Sequence, residues 1–171
     1  MARREAPGVS VRAVRPRERR LLRSFFIHYC GELSVVGGPY VLDDQGRVQP
    51  DHLPHWLTKA PDRHALLLLQ GVFPVGFALV GVAPFPWMSP GRDVCLSEFF
   101  VAPTHRSCGI GRAAALQLFD RFPGKWEVCE LPRHERAIAF WRRVIGEYTH
   151  GDFRELQARG GPAQHFENGR P

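Results

Sequence analysis

Residues 95–112 read Cys-Leu-Ser-Glu-Phe-Phe-Val-Ala-Pro-Thr-His-Arg-Ser-Cys-Gly-Ile-Gly-Arg, and the fold turns on how they are understood. Leu96, Phe99, Phe100 and Val101 favour a pleated strand, with one carboxylate, Glu98, set among them. Ala102-Pro103 stops that strand. Arg106-x-x-Gly109-x-Gly111 follows, and Arg112-Ala-Ala-Ala-Leu-Gln-Leu-Phe runs on directly as a helix. The first turn of a helix carries unpaired N–H groups and the positive end of the dipole. Glycine lets a backbone approach a bulky anion with no Cβ in the way. Arg106 and Arg112 add positive charge at that mouth. Such a turn suits a pyrophosphate held on backbone amides. It equally suits a plain tight turn into an amphipathic helix. No Gly-Lys-Ser/Thr follows, so this is not a nucleoside-triphosphate loop. Nor does it have the third glycine and spaced acidic residue of a dinucleotide fingerprint.

Glu98-Phe-Phe-Val followed by Arg106-x-x-Gly-x-Gly resembles the acyl-CoA-binding motif of the GNAT N-acetyltransferases, Arg/Gln-x-x-Gly-x-Gly/Ala after the fourth strand of their fold. A second block strengthens the resemblance. Residues 125–131, Lys-Trp-Glu-Val-Cys-Glu-Leu, read as the next strand. His134-x-x-Ala137-x-x-Phe140-Trp141-x-x-x-Ile145-Gly146 is similar to the family's Asn-x-x-Ala-x-x-Phe-Tyr helix. With the hairpin before them, the resemblance spans residues 65–148. It implies an α/β fold: a central mixed, mostly antiparallel sheet with helices on both faces, over a single domain, 1–171. It implies acetyl-CoA as co-substrate and no metal. The pantetheine arm would lie between the splayed fourth and fifth strands and pair with main chain at Phe99, Phe100 and Val101. Arg106, Ser107, Cys108, Gly109, Ile110, Gly111 and Arg112 would hold the pyrophosphate. His134, Ala137, Phe140 and Trp141 would complete the cofactor wall.

The reaction implied is acetyl transfer to a primary amine of a small molecule or peptide, by direct attack in a ternary complex. An alkyl ammonium needs a base, since only about one molecule in a thousand is neutral at pH 7. Glu98 is placed beside the thioester to be that base. Alternation sets it opposite Phe99. Two other roles stay open: an ion pair closing the strand edge, or a counter-ion for the ammonium. The sequence departs from the family twice. His134 replaces the asparagine. Trp141 replaces the tyrosine that often protonates the leaving thiolate, and an indole N–H does not give up its proton at neutral pH. Tyr148 is the candidate acid in its place, with water as the other route. Cys108 reads as a small loop residue. The competing function is a GNAT-fold module that binds acyl-CoA without turnover; loss of the tyrosine favours it and Glu98 weighs against it.

The 171 residues suffice for one domain with a sizeable core, and 44% hydrophobic and 23% charged residues are ordinary for a globular protein. No apolar run approaches the ~20 residues of a membrane span, and no secretory leader is read. Four cysteines, Cys30, Cys95, Cys108 and Cys129, show no Cys-x-x-Cys pairing, which points to reduced thiols in a cytoplasmic protein, monomer or homodimer. The net charge of +6 belongs to one end: residues 1–23 hold eight arginines against two glutamates, and the rest balances. Nucleic acid and membrane are therefore not expected partners of the body. The arginines read as a solvated face or as a docking segment for an anionic partner.

Elsewhere, residues 9–14 predict a first strand and 18–33 a helix with Leu21, Leu22, Phe25, Phe26, Tyr29 and Leu33 near one face. Residues 40–50 read as a polar loop, and 51–59 as a short helix with Asp51 as N-cap. Tyr29, Tyr40 and Trp56 are candidate walls of the acceptor pocket, or core. His52-x-x-His55 has metal-ligand spacing but no third ligand, and reads as surface. Residues 65–69 and 75–82 predict a hairpin. Residues 84–92, with Phe85, Trp87 and Met88 among prolines, read as a flap or a packed connection. Helices are expected over 109–122 and 135–146, with Arg136, Arg142 and Arg143 towards solvent or cofactor. The last two strands are expected at 152–157 and 163–168.

Overall fold

A computed structural model describes residues 8–158 and 160–169. Arg3 and Arg4 of the basic segment lie outside these residues. Strand β1 (Val9–Ala13) leads into helix α1 (Arg19–Val35), whose inward stripe is Leu22, Phe26, Cys30 and Leu33. The stripe steps by three or four residues, as burial of one helix face requires. The expected polar loop folds into a small hairpin, β2 (Val41–Leu42) with β3 (Val48–Gln49). Helix α2 (Leu53–Leu57) follows; its N-cap is His52, and Asp51 Oδ1 accepts from the Leu53 amide at 3.2 Å.

The hairpin of β4 (Arg63–Gln70) and β5 (Phe73–Val82) feeds β6 (Val94–Val101). Then come α3 (Ile110–Arg121), β7 (Lys125–Cys129), α4 (Glu135–Tyr148), β8 (Arg154–Ala158) and β9 (Gly161–Glu167). The strands form one seven-stranded sheet in the order β1-β4-β5-β6-β7-β9-β8. Every pairing is antiparallel except the parallel β6–β7. Leu66–Leu69 of β4 is buried on both faces, because the sheet is sandwiched. Each such leucine contributes on the order of 1.5–3 kcal/mol.

Two cores result. One, under α3 and α4, gathers Leu66, Ala78, Val80, Leu96, Leu118, Phe119, Trp126, Trp141 and Phe166. The other, under α1 and α2, gathers Leu22, Phe26, Trp56, Leu67, Phe77, Leu79, Phe85 and Phe100. Phe85 packs on Trp56 with ring centroids 4.8 Å apart, so the 84–92 segment is a packed connection rather than a flap. Trp87 covers His55 and His52 at 4.7 and 5.4 Å.

Several N-terminal arginines are bound into the fold. Arg12 grips Glu18 with two bonds of 2.7 and 2.8 Å, Arg23 pairs with Asp51 at 2.9 Å, and Arg19 donates to the Leu57 carbonyl. Arg12 holds the Glu18 carboxyl down at about 2. Among the described residues, no helix is long and apolar enough to cross a membrane, and no group of three or more His, Cys, Asp or Glu is placed to hold a metal.

Two irregularities of β6 open and orient a cleft in the sheet. Its pairing with β7 covers only Val94–Leu96 against Trp126–Val128, so β6 runs on to Val101 with its β7-facing edge unpaired. Against β5 the register jumps from Val80↔Leu96 to Leu79↔Glu98, leaving Ser97 as a bulge. A one-residue slip exchanges the faces of a strand. Cys95 faces the α1 core and Leu96 the α4 core. Past Ser97, Glu98 and Phe100 face α1, and Phe99 and Val101 face α4.

Candidate active site

Where β6 and β7 part, the cleft holds two cavities that share a wall. The larger, about 800 Å³, is bounded by the 106–112 loop, the end of β6 and one side of α4. The smaller, about 230 Å³, is bounded by Tyr29, Tyr40, Ser97, Glu98 and the residues just past β7. Tyr29, Leu33, Phe99, His134, Ala137 and Trp141 line both.

The glycine loop delivers donors to the larger cavity. Gly109 caps α3 at φ +86° and Ser107 sits at φ +62°, both in the left-handed region that turns successive amides to one side. Among the described residues, no acceptor takes the backbone N–H of Ser107, Gly109, Ile110, Gly111 or Arg112. A Cβ on Gly111 would come within 3.3 Å of the Phe140 ring, so this glycine also lets α4 close on the loop. Cys108 and Ile110 turn away: the Cys108 thiol donates to the His105 carbonyl at 3.0 Å, and Ile110 is core.

The two loop arginines line the cavity but are already engaged. Arg106 donates to the Val101 carbonyl at 2.7 Å and to both oxygens of Glu32 at 3.0 and 2.8 Å, with its guanidinium over the Phe100 ring. Arg112 donates to Glu147 at 2.7 Å. Arg106 thus ties the loop to β6 and α1. Arg136 and Arg143 of α4 also line the cavity. Their i, i+7 spacing puts them on one helix face, while Arg142 points outward to Glu155. That periodicity was the available signal for their role.

Main-chain alternation assigns the free edge of β6. The Ala102 N–H bonds Val75 in β5 at 2.8 Å, and the Phe100 carbonyl is aimed at Gly76, also in β5. Phe99 and Val101 therefore present their N–H and C=O to the open side. Phe100, expected to offer main chain there, instead contributes its ring.

Glu98 stands in the smaller cavity. Its carboxylate accepts from the Tyr40 hydroxyl at 3.0 Å and from the Tyr29 hydroxyl in a short hydrogen bond. Burial raises its pKa to about 7, against the lowering effect of the two tyrosines. Both tyrosines are themselves raised, by burial first and then by the Glu98 charge, and stay protonated donors. A carboxylate poised near neutrality can exchange a proton with a bound ligand. No arginine reaches Glu98 among the described residues, so the strand-edge ion pair is not the arrangement found.

His134 caps α4 and lines both cavities; burial lowers its pKa, helped by Arg106 and Arg136 and opposed by Glu32. Trp141 and Phe140 close around Phe99, at 5.0 and 6.2 Å between centroids. Tyr148 is not brought to the cleft. It is the last residue of α4, its hydroxyl donates to Asp120 at 3.0 Å, and its ring packs on Phe119. Seven residues beyond Trp141, it shares that residue's helix face but lies two turns, about 10 Å, further along, against Phe119 and Phe166. Of the candidate pocket walls, Tyr29 and Tyr40 line the cleft, and Trp56 is core. Glu32 and Glu130, which also line it, were not marked by any motif.

The sequence model of the Acetyltransferase (GNAT) family matches residues 32–146. No curated protein matches the sequence. Among solved structures, an acetyltransferase from Thermus thermophilus is 20% identical and superposes with a TM-score of 0.63 over 94% of this chain and 96% of that one. The GNAT domain of S. lividans PAT gives 16% identity and a TM-score of 0.63, over 94% and 90%. The yncA protein of Salmonella typhimurium, solved with its cofactor acetyl-CoA, gives 12% and 0.57, over 94% of each chain.

Proposed function

Because this chain belongs to the GNAT acetyltransferase family, we propose that it moves the acetyl group of acetyl-CoA to a primary amine of a small molecule or peptide, with Glu98 as the base. One observation carries the reading: a carboxylate gripped by two tyrosine hydroxyls, with its pKa raised to about 7, stands in a small cavity that shares a wall with a larger one edged by open backbone amides. The larger cavity suits the cofactor. The pyrophosphate lies on the amides of 107–112, and the Arg136 and Arg143 cations supply charge. The pantetheine pairs with Phe99 and Val101 on the open edge of β6.

The smaller cavity suits the amine. Glu98 accepts its proton, directly or through one water, and Tyr29 and Tyr40 hold the carboxylate in place as it does so. The freed amine attacks the thioester carbonyl, brought alongside across the common wall. A volume of about 230 Å³ favours a small amine or a single side chain over a folded protein surface.

The test is a panel of primary amines, from diamines to amino acids and short peptides, with CoA thiol release as readout and calorimetric titration of acetyl-CoA beside it. Amine-dependent release with saturation is expected. Tight acetyl-CoA binding with no release above background for any amine would replace the enzyme with a binding module.

A further inference from the structure

The two cavities of the cleft differ in charge, and the difference bears on what the smaller one admits. Arg106, Arg112, Arg136 and Arg143 line the larger. No arginine or lysine among the described residues lines the smaller. Arg133 stands over Gly37, where a Cβ would come within 3.6 Å of its Cδ, and lines neither cavity. His134 lines both, but burial lowers its pKa, so at neutral pH its imidazole adds no positive charge.

Against that absence of cations stands one carboxylate. Glu98 presents its charge to the smaller cavity. Glu130 also lines it, but its carboxyl oxygens are buried and lie among Gln164, Glu155 and Arg142 on the β9–β8 side. A tyrosine hydroxyl has one proton to give, and Tyr29 and Tyr40 both give theirs to Glu98. A carboxylate brought in by a ligand would therefore stand beside Glu98 with no cation to meet it and two donors already spent. Burying an unpaired charge is costly, and like charges set together are a strong means of rejection.

The rest of the wall is apolar. Leu33, Pro39, Phe99, Leu131 and Trp141 line it with the two tyrosine rings. Phe99 and Trp141 meet edge to face, 5.0 Å between centroids. A ligand ring set against such a pair gains more than its buried area alone provides.

We propose that the acceptor is a short aralkylamine without a carboxylate, and that Glu98, besides taking the proton, excludes amino acids by its charge. The proposal rests on the acetyl-transfer reading above. The ammonium of such an amine lies at Glu98 and its ring against the aromatic wall. An α-amino acid offers the same ammonium but carries its carboxylate on the adjoining carbon. It cannot bring the nitrogen to Glu98 without bringing that carboxylate into the same cation-free space. The transfer itself is unaltered: the N–C bond forms, the C–S bond breaks, and the electron pair leaves on sulfur. The amine proton passes to Glu98 and through solvent to the thiolate.

The experiment uses the full chain with acetyl-CoA at about pH 8, where Glu98 is largely ionised, and CoA thiol release as readout. The amines are 2-phenylethylamine, phenylalaninol, phenylalanine and putrescine. Phenylalaninol has the branching of phenylalanine without its negative charge. Phenylethylamine and phenylalaninol are expected to turn over. Phenylalanine should fall about 10-fold or more below phenylalaninol in kcat/KM, chiefly through KM. Putrescine, with no ring to set against Phe99 and Trp141, should fall below phenylethylamine. Glu98→Gln slows every amine but should shrink the gap between phenylalanine and phenylalaninol, which loss of a base alone would not do. A smaller gap in the wild type, a gap undiminished in Glu98→Gln, putrescine ahead of phenylethylamine, or release only with amines outside this set overturns the proposal and leaves acetyl transfer standing. Acetyl-CoA binding with no release from any amine of the wider panel overturns the transfer reading, and this one with it.

Discussion

The two ends of the cleft are built by opposite means. The cofactor end is one continuous stretch: β6, the 106–111 turn and the start of α3. Its geometry comes from left-handed backbone at Ser107 and Gly109 and from the absence of a side chain at Gly111. The acceptor end is assembled from afar. Tyr29 on α1, Tyr40 before β2, Glu98 on β6 and Glu130 past β7 meet only because the sheet and α1 bring them together. A local site should fail at single positions and leave the other end intact. An assembled site should lose catalysis without losing cofactor.

The comparison is tested most severely at Glu98. Glu98→Gln is expected to cut amine acetylation by about 10²-fold or more and leave acetyl-CoA affinity unchanged. If Glu98 is a base, the variant recovers as pH rises towards the amine's own pKa. If it is only a counter-ion, KM stays raised at every pH. A wild-type rate across the profile would remove Glu98 from the chemistry.

The converse test lies in the loop. Gly111→Glu places a Cβ against Phe140 and a carboxylate beside the pyrophosphate amides. Acetyl-CoA binding should weaken by about 10-fold or more, on the order of 1.4 kcal/mol. Equal affinities by calorimetry, with both proteins folded, would detach the loop from the cofactor.

A smaller effect separates the tyrosines from the carboxylate they hold. The Tyr29 hydrogen bond lowers the Glu98 pKa against burial. Tyr29→Phe removes that help, so the Glu98 pKa rises further and the acid limb of the rate profile moves to higher pH. Turnover near pH 7 falls several-fold and recovers above it; a limb that stays put breaks the link.

Stability gives a fourth test. Glu130 has a raised pKa in the folded chain, so the native state binds the extra proton and stability falls as pH climbs from about 4.5 to about 8. Glu130→Gln has no such dependence at this site. Its melting temperature should match the wild type below about pH 4.5 and exceed it above about pH 8. Parallel curves across that window would mean that Glu130 is not held protonated. Smallest of all is Tyr148→Phe, which should leave turnover unchanged and cost about 1 kcal/mol at most through Asp120.

This contrast also governs what the sequence disclosed. The 95–112 stretch and the 134–146 helix pattern disclosed strand, loop and helix directly, because each is a run of neighbours with a period or a spacing, and their resemblance to the GNAT family implied the fold and the sheet's parting. Glu98 stood out as the lone acid in an apolar strand. Tyr29 and Tyr40 could be named as candidates but not joined to it, since 69 and 58 residues separate them from Glu98. The Arg106–Glu32 pair, 74 residues apart, left no trace at all. Tyr148 was a choice of residue type by sequence distance; it keeps Trp141's helix face but sits two turns beyond the cleft, on Asp120 and Phe119. Arg136 and Arg143 were visible as a pair on a helix face, but only the fold shows which way that face looks.

The bulge at Ser97 makes register, as distinct from identity, a determinant of chemistry in this strand. Ser97 is the odd residue that sets Leu96 and Glu98 on opposite faces of the sheet. Were it drawn into regular pairing with β5 at unchanged length, Glu98 would turn from the α1 side to the α4 side by parity alone, and the two tyrosines would face empty space. Deleting it instead would leave Leu96 against Val80 and Glu98 against Leu79, with both faces kept. A gap at Ser97 in a relative's sequence is therefore compatible with the same catalyst. In engineering, it is the register beyond Ser97, and not the residue there, that must be preserved.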